Sequence, residues 1–190
     1  ASATFNTQIG GYLIEEYFDT FPPTGWTAET NWQGNSGSEA GGQAPEAELY
    51  WSPSYVGDTR LISPVINTTG ATSLNFSFKH YYDDYSSSGD AIGVATTSDG
   101  GATWNTAWEV FPTDDIGPEN QDILVETSDV GSNNFQIAFY FSGNTWNMNH
   151  WYVDDAILAG GSGGVEVGYI SGIVSLQGGN GNVEDVSITL

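Results

Sequence analysis

The segment that decides the fold of this chain is His150-Trp151-Tyr152-Val153-Asp154-Asp155-Ala156-Ile157-Leu158. Its apolar residues alternate with other residues at a period of two, which predicts a β-strand. Two adjacent aspartates interrupt the strand, although aspartate is disfavoured inside a sheet and a buried carboxylate needs a counter-charge or hydrogen bonds. The strand therefore carries negative charge that another group must neutralise.

Positive charge is scarce in this sequence. Lys79 and Arg60 are its two basic residues, against 24 acidic ones, and the formal net charge is −22. A divalent cation such as calcium, which prefers carboxylate and carbonyl oxygens, is then the simplest partner for Asp154 and Asp155. Because neighbours on a strand point to opposite faces, we expect one of the two to bind by its side chain, and the sequence leaves open which. The alternative is that both cap turns or face solvent.

The composition also limits the possible partners and location of the protein. A strongly acidic chain repels phosphate backbones and anionic lipid, which argues against nucleic-acid binding and membrane binding. There are no cysteines, and no apolar run approaches the roughly 18 residues of a membrane span. An Asn-, Ser-, Thr- and Gly-rich chain with almost no lysine is typical of bacterial or archaeal surface proteins, so we expect an extracellular location. The start Ala1-Ser2-Ala3 fits either a mature end left after processing or an arbitrary boundary.

Short segments of alternating polarity, separated by turn residues, run through most of the chain. In two of them every second residue is apolar or aromatic, from Leu74 to His80 and from Phe135 to Phe141. Residues 31–45 are rich in Gly, Ser and Asn and are predicted to form a loop. The pattern predicts an all-β fold, a two-sheet antiparallel β-sandwich. Its predicted strands are 12–19, 60–66, 73–81, 91–97, 104–111, 122–126, 134–141 and 151–158.

The chain is predicted to have four parts. Residues 1–11 form an N-terminal arm, 12–159 the sandwich, 160–164 a Gly/Ser linker and 165–190 a C-terminal β-hairpin extension. Two strands are not stable alone in water, so the extension is either the beginning of a further domain or a strand pair that associates with something else.

Three groups of residues resemble a known family. They are Glu16-Tyr17-Phe18-Asp19 with Phe21-Pro22-Pro23-Thr24-Gly25-Trp26, then Leu61-Ile62-Ser63-Pro64, then Trp151-Tyr152-Val153-Asp154-Asp155. In this order they resemble the cleaved-adhesin or choice-of-anchor jelly-roll modules, which are related to galactose-binding and MAM-like domains. The resemblance implies a structural calcium held by the opening strand and the closing Asp-Asp, that is by Glu16, Asp19, Asp154 and Asp155. The segment from Gly168 onward is similar to the start of a carboxypeptidase-regulatory-like β-domain.

A loop rich in aromatic and acidic residues is the best candidate for ligand binding. Sugar rings stack their C–H faces on aromatic side chains, while carboxylates accept hydroxyl protons. The candidate residues are Tyr81, Tyr82, Asp83, Asp84 and Tyr85, with Trp108 and Trp146 as possible additions. The alternative is that these rings close the end of the sandwich, as buried Tyr and Trp commonly do.

Little in the sequence suggests catalysis. It has no Gly-x-Ser-x-Gly, no His-Glu-x-x-His and no cysteine nucleophile, and only His80 and His150 could act as histidine bases. A pair of glycosidase carboxylates carries little weight among 24 acids. One Asp-box-like hairpin, Thr97–Trp104, occurs singly, whereas a propeller would repeat it.

The sequence therefore predicts a non-catalytic, calcium-stabilised binding or adhesion module of a secreted or cell-surface protein, with a glycan or protein ligand. Two alternatives stay open. The chain could be a structural subunit whose terminal strands add to a neighbouring copy, or an accessory domain of a secreted peptidase or glycosidase.

Overall fold

The computed structural model describes residues 2–8, 12–86, 88–160 and 169–175, whose regular structure is almost entirely β. One unit of the chain is built on Tyr12–Val165, and a second unit contains the first and last strands. The strands are β1 (Ser2–Gln8), β2 (Tyr12–Glu16), β3 (Thr27–Ala28), β4 (Trp32–Asn35), β5 (Glu46–Tyr50), β6 (Val56–Ile62), β7 (Leu74–Asp84), β8 (Ala91–Thr97), β9 (Asn105–Val110), β10 (Ile116–Val125), β11 (Gln136–Asn144), β12 (Met148–Gly160) and β13 (Tyr169–Ser175).

Two antiparallel sheets form the larger unit, which confirms the predicted sandwich. One sheet has the order β10-β7-β12-β5-β4, with β2 also paired to β12, and the other has the order β3-β6-β11-β8-β9. Among the described residues, helical structure is limited to a 3₁₀ turn at Thr145–Asn147, and no helix is long and apolar enough to cross a membrane.

Aromatic rings join the two sheets. Phe139 of β11 lies 5.0 Å from Phe78 and 5.5 Å from Phe76 of β7, measured between ring centroids, and 6.0 Å from Trp151 of β12. All four side chains are at most 1 % exposed. Each strand thus contributes every second residue to one shared core, the pattern expected for strands that bury one face.

The alternating segments behave as predicted. Along β7 the residues from Leu74 to Tyr82 at even positions are buried, and along β11 Ile137, Phe139 and Phe141 point into the core. Burial on one face explains why β7 could be recognised from sequence, whereas in β11 Ala138 and Tyr140 on the other face are buried as well.

The predicted loop at 31–45 is wrong in part, because β4 lies inside it and a further strand, β5, follows it. Gln33 of β4 pairs with Glu48 of β5, and Trp32 is buried at 6 % exposure. β4 was predicted as loop because it contains glycine and asparagine, and β5 was not recognised because it contains two glutamates. The glutamate side chains lie on the outward face of the sheet, where hydrogen bonds and the neighbouring chain cover them.

The smaller unit is a pair of antiparallel strands. β1 and β13 pair in register from Ser2 with Ser175 to Gln8 with Tyr169. The arm predicted at 1–11 therefore contains a strand. Most of the predicted linker and the end of the predicted C-terminal hairpin lie outside the described residues.

Candidate functional site

The acidic residues of the closing strand lie at a break in the sheet. Strand β7 follows one edge of β12 over most of its length, so the two other partners of β12 share its opposite edge. There β5 pairs with residues 150–153 and β2 with residues 156–159. Asp154 and Asp155 therefore stand where one neighbouring strand ends and the other begins, and the first and last strands of the sandwich meet at this seam.

Asp154 is fully buried at the seam. Its Oδ1 accepts a hydrogen bond from the Asp155 backbone N–H at 2.8 Å, while its buried Oδ2 has no hydrogen-bond partner among the described residues. Burial is the main cause that raises the pKa of this carboxyl to about 6, and the charges of Asp155 and Asp19 add to it. An unpartnered buried carboxylate oxygen is costly, so this atom is suited to a bound cation.

A glycine lets the chain approach the Asp154 carboxylate. A Cβ at Gly42 would lie 1.8 Å from Asp154 Oδ2, so any other residue here would collide with the carboxylate. The backbone at Gly42 thus lies directly against the Asp154 carboxylate.

The other three predicted metal ligands have different surroundings. Asp155 forms an ion pair with Lys79, with Oδ2 2.7 Å from Nζ, and its φ of 49° belongs to a bulge in β12. Glu16 accepts a hydrogen bond from the Phe18 backbone N–H at 2.9 Å. Asp19 is exposed and acts on Asp154 through its charge. Among the described residues, no group of three or more His, Asp or Glu side chains is arranged to hold a metal ion.

A second buried carboxyl lies beside the seam. Glu46 begins β5, is 0 % exposed and accepts hydrogen bonds from the backbone N–H groups of Glu39 and Ala40, each at 2.8 Å. Burial, followed by a hydrogen bond with the Glu39 carboxyl, raises its pKa to about 7. This carboxyl fixes the chain before β5 against the outer face of the sheet.

Two of the residues predicted to bind ligand pack against the hydrophobic core. Tyr82 is 0 % exposed on the inner face of β7. Trp108 is partly buried and lies 5.7 Å from Phe78 and 5.6 Å from His80, between ring centroids. Tyr82 and Trp108 therefore have the positions expected of aromatic residues that close the sandwich.

Tyr81 belongs to a stack of four rings on the outer face of the sheet. Tyr50, His150, Tyr152 and Tyr81 follow one another at centroid distances of 5.3, 5.2 and 6.1 Å, with interplanar angles of 30°, 13° and 2°. His150 also contacts Glu48, whose other oxygen accepts hydrogen bonds from Gln33 and Asn35. Because the rings cover each other's faces, this stack offers mainly edges to a ligand.

The remaining predicted aromatics line a cleft at one end of this sheet. Tyr85 is 61 % exposed and Trp146 52 % exposed, and they are joined by Trp51. The Trp146 ring lies 5.3 Å from Trp51 and 6.2 Å from Tyr85, both nearly perpendicular. The cleft has a volume of about 230 Å³ and is also lined by Met148 and Asn149.

Acidic residues of the predicted patch border this cleft. Asn149 donates a hydrogen bond from Nδ2 to Asp83 Oδ1 at 2.9 Å. The Asp84 backbone N–H donates to Asp115 Oδ1 at 2.9 Å. The cleft thus combines partly exposed rings with two nearby carboxylates. Asp83 is hydrogen-bonded to the lining residue Asn149, and Asp115 to Asp84, the neighbour of the lining residue Tyr85.

Sequence analysis missed Trp51, Met148 and Asn149 as parts of the cleft. Trp51 directly follows β5, and its place in the cleft was not predicted because β5 was not recognised as a strand. The pairing of His150 with Tyr50 brings the two segments together, a long-range contact that no local pattern reveals.

Comparison with known proteins identifies the fold. No family model matches the chain, and no curated protein matches it. Solved structures similar to it include TmCBM61 in complex with β-1,4-galactotriose, with TM-score 0.56, 14 % identity, 80 % of this chain and 99 % of that chain covered. The K1 cleaved adhesin domain of Lys-gingipain from Porphyromonas gingivalis W83 has TM-score 0.52 at 12 % identity, covering 84 % of this chain and 99 % of that chain.

A third similar structure is the C-terminal family 22 carbohydrate-binding module of Clostridium thermocellum Xyn10B. Its TM-score is 0.52 at 15 % identity, and the match covers 82 % of this chain and 98 % of that chain. At such identities the likeness establishes the fold, a β-sandwich of the kind found in adhesin domains and carbohydrate-binding modules.

The two buried carboxyls predict that the stability of the metal-free protein, measured in the presence of a chelator, depends on pH. The pKa of Asp154 is raised to about 6 and that of Glu46 to about 7, so the folded state holds more protons than the unfolded state between about pH 4 and pH 7. We expect the free energy of unfolding to fall as the pH rises through this window, measured by thermal denaturation in EDTA. Asp154→Asn and Glu46→Gln should each flatten the slope. Stability that increases with pH over the same range would contradict the assignment.

Proposed function

We propose that this chain is a non-catalytic glycan-binding module of a secreted or cell-surface protein, and that calcium stabilises its sandwich. The observation that carries the proposal is the cleft formed by Trp51, Tyr85 and Trp146. Large exposed aromatic side chains cost free energy in water, and two of them, with the half-buried Trp51, around one concavity mark a binding site more readily than scattered ones.

The fold likeness supports the same function. TmCBM61 was solved with β-1,4-galactotriose, and the Xyn10B domain is a carbohydrate-binding module. The K1 domain of Lys-gingipain is a cleaved adhesin domain. Because one fold carries many functions, this likeness adds to the proposal and the cleft's own chemistry has to carry it.

The size of the cleft favours a glycan over a protein ligand. A stable protein interface covers about 800 Å² on each partner. A concavity of about 230 Å³ instead fits a small ring-shaped group. Aromatic rings would stack on the C–H faces of a sugar, and Asn149, with Asp83 behind it, would exchange hydrogen bonds with its hydroxyl groups.

Calcium would act at the seam between the first and last strands. Asp154 would supply the side-chain ligand, as its buried Oδ2 has no partner among the described residues. The family resemblance adds two further ligands, Glu16 on the opening strand and Asp19 just beyond it. Backbone carbonyls would complete the set of oxygen donors. Bound calcium would supply positive charge where Lys79 is already paired with Asp155.

A second candidate function is assembly by strand addition. β1 and β13 pair only with each other among the strands that the structure describes. A two-stranded sheet is marginally stable and presents unpaired edges, which invite a further strand. The partner would be a second copy of this chain. In a larger secreted peptidase or glycosidase, the same module would serve as an accessory domain.

Removing the Trp146 ring should weaken glycan binding. We expect Trp146→Ala and Tyr85→Ala each to reduce the affinity at least about tenfold, equal to about 1.4 kcal/mol, because each removes a wall of the cleft. Isothermal titration against a panel of soluble polysaccharides, including galactan and xylan, measures this. Phe111→Ala is the matched control, since Phe111 is 59 % exposed and lies outside the cleft lining. Absence of binding, or binding unchanged in both cleft variants, would refute the proposal.

Chelation should lower the melting temperature. With free calcium at a hundred times its Kd, bound ion contributes about 2.7 kcal/mol, or roughly 5–10 °C for a domain of this size. We expect Asp154→Asn to abolish the difference between calcium and EDTA, whereas Asp155→Asn keeps it because Asp155 pairs with Lys79. Equal melting temperatures of the unmodified protein in calcium and in EDTA would contradict the proposed calcium site.

Strand addition predicts concentration-dependent association. Light scattering behind size exclusion should detect oligomers that disappear when residues 1–11 are deleted, since that deletion removes β1. A monomer at every concentration tested would exclude this second function.

A further inference from the structure

The rings of the cleft are arranged as walls. Trp146 stands at 87° to Trp51 and at 84° to Tyr85. A ligand chain that lies along a surface stacks on rings that face the same way, whereas these rings, in edge contact with one another, turn their faces in different directions around one concavity. Met148, which is 1 % exposed, closes the inner end of this space.

The volume of the cleft limits what it encloses. Pockets for drug-sized ligands measure about 300–1,000 Å³. At about 230 Å³, this cleft is smaller than that range and holds one sugar ring better than several consecutive ones. The other aromatic cluster on this sheet, from Tyr50 to Tyr81, does not extend it as a stacking platform, because its rings cover one another.

The charged groups around the cleft are acidic. Asp83 accepts a hydrogen bond from the lining residue Asn149, and Asp115 accepts one from the Asp84 backbone. Both basic residues of the chain are engaged elsewhere, Lys79 with Asp155 at 2.7 Å and Arg60 with Asp58 at 3.0 Å. With a net charge of −22, the protein repels anions and offers no cation at this site to compensate.

We infer that the cleft binds the uncharged terminal sugar of a glycan chain, and neither an internal stretch of the chain nor an acidic sugar. This inference rests on the proposed glycan-binding function and specifies which part of the glycan is recognised. The carboxylate of Asp83, held by Asn149, would accept hydroxyl protons of the sugar, a role that a charged carboxylate on the ligand would oppose by repulsion.

A series of oligosaccharides of increasing length tests the inference. We would titrate the protein with the mono- to hexasaccharide of the neutral polysaccharide that it binds best in the panel. If the cleft encloses one terminal ring, the affinity should change by less than about threefold beyond the disaccharide, well under the tenfold that 1.4 kcal/mol represents. A stepwise increase up to the hexasaccharide would overturn the inference while leaving glycan binding itself intact.

Charge is tested on the same oligosaccharides. An oligosaccharide that ends in an oxidised sugar, a uronic acid, should bind at least about tenfold more weakly at low salt than the same chain ending in its neutral sugar, with part of the loss recovered at high salt by screening. Equal or tighter binding of the oxidised sugar would overturn the inference. Trp146→Ala should lose binding of the neutral terminal sugar, and Phe111→Ala should keep it. No binding of any glycan would refute the proposed function as well, so the two failures are distinguishable.

Discussion

The structure depends on a carboxylate that the sheet buries at its own seam. Asp154 lies where β5 ends and β2 begins along β12, with its Oδ2 buried and without a partner among the described residues. Glycine at position 42 lets the chain close over it, and Lys79 on the neighbouring strand pairs with Asp155. Closing the first strand onto the last therefore leaves one negative charge that Lys79 offsets only in part, because its ammonium group forms its ion pair with Asp155. A bound cation would turn this unfavourable charge into a link between the two strands.

Aromatic residues have three distinct roles in the sandwich. Phe139 and Trp151 fill the space between the sheets, Tyr152 and its neighbours stack face to face on the outside, and Trp146 stands at the rim of a cleft. Only the third group combines high exposure with a concave shape. The seam and the cleft lie in different stretches of β12, so that a bound metal would govern stability and the rings would govern recognition.

Much of the fold could be predicted from sequence because one-sided burial imposes a period of two. The strand containing Phe76 and Phe78 was recognisable for this reason. The strand containing Phe139 is buried on both faces, and its alternating large apolar residues marked it. The same period did not reveal the strand that contains Glu46 and Glu48. A pattern of polarity predicts that charged residues are exposed, whereas hydrogen bonds and the covering chain bury these two. Local sequence contains no information about such partners.

The site was predictable in outline only. Alternation indicated that Asp154 and Asp155 would differ. The register of β12 with β7 places Lys79 opposite Asp154, and the bulge that follows Asp154 brings Asp155 to the Lys79 side chain. Alternation likewise separates Tyr82, which is buried, from Tyr81 on the outer face. Trp51 joined the cleft through the pairing of β5 with β12. Each of these outcomes follows from register between distant strands.

A crystal structure of the protein grown in calcium would test the central claim most directly. The account predicts an ion within about 2.3–2.6 Å of Asp154 Oδ2, the distance range of calcium–oxygen bonds. An Asp154 carboxyl that instead bonds to water or to a protein group, with no ion between the first and last strands of the sandwich, would contradict it.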